Sequence, residues 1–78
     1  MAYLWINLAD LTNKGSIGDM ILNWALADIE PIGAFYGGKN IDDVYLVYEM
    51  DRDRAEAVKW LINRAAHDAK IVVRCRIT

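Results

Sequence analysis

Few side chains in this sequence are reactive, and their placing limits the chemistry open to the chain. His67 is the single histidine, and Asp68 follows it. Adjacent helical positions point about 100° apart, so this pair is not arranged as a base and its orienting partner. Cys75 alternates with Ile71, Val73 and Ile77 on what should be the inner face of a strand. Burial there raises a thiol pKa and leaves the group inert. Asp42, Asp43, Glu49, Asp51 and Asp53 are spread along a strand and a helix start, without calcium-loop spacing. They read as solvated or capping residues. Lys14-Gly15-Ser16 precedes a helix and could offer free N–H groups to a small anion, but the Walker spacing is absent, so it reads as a capping loop. No Ser/His/Asp set, carboxylate pair or metal cluster converges. The expectation is a protein that is not an enzyme and needs no cofactor and no metal.

Residues suited to binding are more plentiful. Trp60 falls among Glu56, Lys59, Asn63, Arg64 and His67, on the side of a helix that should meet water. Trp60 and Arg64 are one turn apart, and tryptophan and arginine dominate interface hot spots. Trp60, Arg64, His67 and Glu56 therefore form one candidate partner-binding surface. A second is a sheet face. Tyr3, Trp5 and Asn7 alternate with Leu4, Ile6 and Leu8; Tyr45, Val47 and Glu49 alternate with Val44, Leu46, Tyr48 and Met50. With Arg74 and Arg76 on the last strand, the residues Tyr3, Trp5 and Tyr45 form an aromatic and basic face. It suits a dimer contact, a protein partner or stacked bases.

The elements that must position these residues can be read in order. Residues 2–9 alternate as a strand. Asp10 to Gly15 reads as a loop, and Ser16 as the N-cap of a helix from Ile17 to about Ile29, stopped by Pro31. That helix, with Met20, Leu22, Trp24 and Leu26 among its residues, is more apolar than one core face needs. Either it is deeply packed or another chain covers its flank. Ile32 to Tyr36 and Val44 to Met50 form a hairpin across Gly37, Gly38, Lys39 and Asn40. Asp53 and Glu56 fit a capping box for a helix running to about Ala69. Its inner face should hold Ala55, Val58, Leu61, Ile62, Ala65, Ala66 and Ala69. Lys70 to Ile77 is the last strand. The sum is an α+β domain of the ferredoxin-like βαββαβ type: a four-stranded antiparallel sheet, spatial order 4-1-3-2, with two helices on one face.

The totals agree with one domain over 1–78. A chain of 78 residues buries roughly 60% of its unfolded surface, and 55% hydrophobic residues argue against disorder. Nine basic and eleven acidic residues give a net charge of −2, a poor footprint for phosphate-driven binding. One cysteine permits no intrachain disulfide, and no signal peptide or apolar span of about 18 residues is evident, so a reducing, cytoplasmic setting without a membrane is expected. The chain begins with Met and reads as a complete small gene product.

Two short likenesses bear on function. Leu4-Trp5-Ile6-Asn7-Leu8 resembles the first ribonucleoprotein motif of RNA-recognition domains, one residue short. The strand that would carry the second motif begins Asp42-Asp43 and lacks its glycine. Asp10, at the end of the first strand, is similar in place to the aspartate of Cas2-like nucleases, though the rest of the chain does not match. In size, acidity and surplus surface aromatics the chain resembles small phage-encoded inhibitors such as anti-CRISPR proteins. The leading expectation is an inhibitory protein that occludes a surface of a larger protein, with a homodimer as a further possibility. The alternatives are an RNA or single-stranded DNA module and a dimeric ligand-binding regulatory domain.

Overall fold

The computed structural model describes residues 1–13, 18, 20–38, 40 and 43–78. The expected cap Ser16, the Lys14-Gly15 pair and Asp42 lie outside the described residues. Strand β1 is Ala2–Asn7, β2 is Gly33–Tyr36, β3 is Val44–Met50 and β4 is Cys75–Ile77. The strands form an open, wholly antiparallel sheet in the order β2-β3-β1-β4. Helix α1 is Leu8–Asn13, a π-helical segment spans Ile21–Ala25, and helix α2 is Arg52–Asp68.

The core lies between one sheet face and this helical layer. Leu4, Ile6, Tyr48 and Met50 from the sheet meet Leu11, Ala55, Val58, Ile62 and Ala66 from the helices and Leu26 just beyond the π segment. The period-2 alternation of β1 and β3 supplies the first set. The 3.6-residue period of α2 supplies Ala55, Val58, Ile62 and Ala66. Burying Ile62 fully contributes roughly 1.5–3 kcal/mol.

Several sequence expectations are corrected. The chain between Asp10 and Asn13 is helical, so β1 stops at Asn7 rather than Ala9. Asn7 is the reason: its Oδ1 accepts the N–H of Asp10 at 3.0 Å, which is N-cap geometry. Asn7 is also fully buried and not part of the exposed sheet face. The next helical stretch ends in the π segment, and the chain bends away at Leu26, short of Ile29. Ile32 precedes β2 and does not belong to it. The N-cap of α2 is Asp51, without a side-chain cap bond, so Asp53 lies in the first turn and the Asp53/Glu56 capping box does not form. Leu61 and Ala69 are exposed rather than inner-face residues.

β4 is also shorter than expected, beginning at Cys75 and not at Lys70. Helix α2 closes with a Schellman motif that uses these residues. Ile71 N–H donates to the Ala66 carbonyl at 2.9 Å and Lys70 N–H to the His67 carbonyl at 3.0 Å. Lys70 takes the left-handed backbone this requires, with φ 58°.

Candidate interaction surfaces

On the open sheet face the strand register assembles an aromatic cluster. Trp5 sits opposite Val47 on β3 and Arg76 on β4, and Tyr45 opposite Phe35 on β2. The Trp5 ring centroid is 6.2 Å from those of Phe35 and Tyr45, tilted or edge-on to each, as aromatic quadrupoles prefer. Trp5 Nε1–H donates to Thr78 Oγ1 at 2.8 Å, so the indole is anchored at its polar edge. The Arg76 guanidinium lies 4.8 Å from the Trp5 ring and 5.4 Å from that of Tyr45, a double cation–π contact. A hollow of about 310 Å³ lies among Tyr3, Trp5, Ile32, Phe35 and Val47. Glu49, cross-strand from Tyr3, accepts a hydrogen bond from its phenol and raises its pKa.

Arg74 is placed differently from Arg76. Its backbone N–H and its Nε both donate to Asp10 Oδ2, at 2.9 and 3.0 Å, and its Nη1 donates to Asp43 Oδ1 at 3.3 Å. The hydrogen bonds from Arg74 to Asp10, and the attraction between their charges, raise the guanidinium pKa further. This clamp ties β4 to the start of α1 and to the loop entering β3. Asp10 is thus engaged by an arginine, an arrangement that holds chain ends together. Among the described residues no group of three His, Cys, Asp or Glu is placed to hold a metal ion.

The helical layer presents the second surface. Trp60 is 63% exposed on α2, and Arg64, His67 and Glu56 lie on the same solvent side. Arg64 pairs with Asp68 at 3.4 Å, and Glu56 pairs loosely with Arg52 at 3.9 Å. Both are exposed pairs one turn apart and contribute little to stability. Beside them runs an open groove of about 660 Å³, floored by Met20, Ala25, Ile62 and Ala65 and flanked by Trp24, Leu61 and the Arg64–Asp68 pair. Trp24 is 80% exposed and Leu61 50%. The sequence places Trp24 within an overly apolar helix, whereas here it stands in solvent at the groove edge. The π segment adds a residue to the turn, so a spacing counted at 3.6 residues no longer gives the facing of Trp24. Arg54 reaches across from α2 to Asp28 and to the Ala25 carbonyl, holding the end of this segment against the helix.

Cys75 is half-buried, and its thiol donates to Asn63 Oδ1 at 3.6 Å. Burial pushes its pKa up, and nearby Lys59 offsets part of the rise. Phe35 was not among the expected face residues. The hairpin register would have found it, because Phe35 must share a face with its cross-strand partner Tyr45.

No protein-family model matches the chain, and comparison with curated proteins and with solved structures finds no match. Among the described residues no helix is long and apolar enough to cross a membrane.

Proposed function

We propose that this chain is a small protein-binding module that works by occupying, and so occluding, a surface of a larger protein. The observation that carries this reading is the helical side, where Trp24, 80% exposed, lines an apolar groove, and Trp60, 63% exposed on α2, stands one turn from Arg64, which lines the same groove. Exposed tryptophans with an arginine one turn away are the composition of an interface centre, and an alanine substitution at such an anchor costs on the order of 2 kcal/mol or more of binding. A binding surface of this kind on a chain of 78 residues supports an inhibitory role by steric blocking. We also read the architecture as the ferredoxin-like split βαβ arrangement. The order β2-β3-β1-β4 supports it, since from the other edge it runs 4-1-3-2 with β1 and β3 central.

A nucleic-acid reading rests on the sheet face, where Arg76 lies across Trp5 and Tyr45. It is the weaker of the two, because the second arginine, Arg74, is already engaged by two carboxylates.

The test is capture of a partner from the natural host by the wild type, Trp24→Ala, Trp60→Ala and Trp5→Phe, followed by reconstitution with the purified partner. The helix-side reading expects at least a tenfold loss of affinity for one or both of the first two variants and near-wild-type binding by Trp5→Phe. Undiminished binding by both Trp24→Ala and Trp60→Ala sinks it. Binding to single-stranded oligonucleotides that weakens steeply with salt would move the function to the sheet face.

A further inference from the structure

The two edges of the sheet offer a neighbour different things. β4 is three residues long and bears Arg76, with Arg74 just before it. β2 lies within an uncharged run, 31–38, with the sequence Pro-Ile-Gly-Ala-Phe-Tyr-Gly-Gly. Ala34, Phe35 and Tyr36 are all exposed, Tyr36 by 69%. Gly37 N–H donates to the Asp43 carbonyl at 2.7 Å, and the register pairs Phe35 with Tyr45 and Gly33 with Val47. In an antiparallel ladder the hydrogen-bonded residues recur every second position. The odd-numbered residues of β2 therefore turn toward β3, and Ala34 and Tyr36 turn their N–H and C=O groups outward. Unpaired, uncharged edges of this kind are templates for a further strand.

We propose that β2 pairs antiparallel with the β2 of a second copy of this chain, about a twofold axis at Phe35. The sequence around that residue, Gly33-Ala34-Phe35-Tyr36-Gly37, selects the occupant. In this register Ala34 faces Tyr36 of the second copy as a hydrogen-bonded pair, and symmetry repeats the pair. Phe35 faces its own copy in the non-hydrogen-bonded position, where Cα atoms approach to about 4.5 Å and side chains are closest. Gly33 faces Gly37, and the outward pairing ends there, because Ile32 N–H donates to the Val47 carbonyl at 2.8 Å. No charge meets a like charge and no bulky residue meets another except the two phenyl rings. The same operation at β4 sets arginines against one another, which disfavours that edge. Phe35 also lies 6.2 Å from Trp5, so the pair joins the two aromatic clusters across one continuous eight-stranded sheet. The contact uses each β2 edge once and closes at a dimer.

Sedimentation of the full chain over a range of concentrations tests this, together with amide hydrogen exchange. The mass is expected to rise from 8.9 kDa toward twice that value. The amides of Ala34 and Tyr36 should become protected as it does, while that of Phe35 is protected throughout. Ala34→Pro removes an outward N–H that β3 does not use, a position where an edge strand tolerates proline. It is expected to stay folded by circular dichroism and to remain monomeric. If that variant unfolds, Phe35→Lys, which sets two ammonium groups on the axis, is expected to be monomeric in its place. A wild type that stays at one chain mass into the millimolar range overturns the proposal. So does a dimer whose Ala34 and Tyr36 amides exchange freely, or a folded Ala34→Pro or Phe35→Lys variant that dimerises as the wild type does.

Discussion

The sheet face and the helical layer both carry tryptophan, and they hold it in opposite ways. Trp5 is enclosed by its own fold: an indole hydrogen bond to Thr78, tilted rings at Phe35 and Tyr45, and the guanidinium of Arg76 above. Trp24 and Trp60 stand largely in water. An aromatic surrounded by intramolecular partners has already spent its surface on stability. One left in solvent retains its apolar area for a partner. The difference teaches that a surface rich in aromatics is not by itself a binding site. What counts is which of its rings the fold leaves unused.

The largest effect should come from exchanging the roles in a stability measurement. Trp5→Ala is expected to lower unfolding free energy by about 2–3 kcal/mol in urea titration, since it empties the centre of the cluster. Trp24→Ala and Trp60→Ala should each change it by less than about 0.5 kcal/mol. Equal losses at all three positions would erase the contrast.

A smaller effect should appear in base. Tyr48, from the buried side of β3, has its phenol pKa raised by burial above the ordinary value near 10. The unfolded chain then releases this proton first, so the folded state binds more protons above about pH 10. Stability is level below that pH with respect to this group and falls as pH rises past it. Tyr48→Phe should flatten the fall in urea midpoint above about pH 10.

The smallest effect belongs to the ion pair that ties the helical layer to itself. The hydrogen bond from Arg54 holds Asp28 below the usual carboxylate value of 3.8, helped by a local backbone bond. A depressed carboxylate contributes stability above its unfolded pKa and loses it as pH falls through the folded one. Asp28→Asn should therefore soften acid unfolding below about pH 4 and leave neutral pH nearly unchanged, because the pair is exposed. A large loss at neutral pH would show that the groove wall depends on this tie far more than its exposure implies.

Much of the fold was legible because it rests on periodicity. β3 has the bounds its alternation gives, Val44–Met50, and α2 lies within a residue of its expected start and end. Trp60, Arg64, His67 and Glu56 share the helix side that their spacing gives. What failed to show was set by single side chains acting on backbone. Asn7 fits the alternation of β1, yet it caps α1; Asp10 three residues later was the available sign, since N-cap and N3 positions favour such pairs. Lys70 fits a strand, yet it closes α2 in the left-handed region. In each case a repeat pattern permits two conformations, and bonds within five residues along the chain, Asp10 to Asn7 and Ile71 to Ala66, fix the one adopted.

The sequence by itself determined the four-strand count, the antiparallel hairpin and the apolar stripe of α2. The strands and the stripe follow from repeat spacing, which any chain with that backbone must obey, and the hairpin from the short glycine-containing link 37–40. Only the tertiary structure decided that Arg74 is engaged by Asp10 and Asp43 while Arg76 lies across the aromatics. The two arginines are equivalent in strand parity, and only the neighbouring loop and helix distinguish them. It alone decided that Trp24 faces solvent, because the π turn shifts every later position off the period from which a sequence is read.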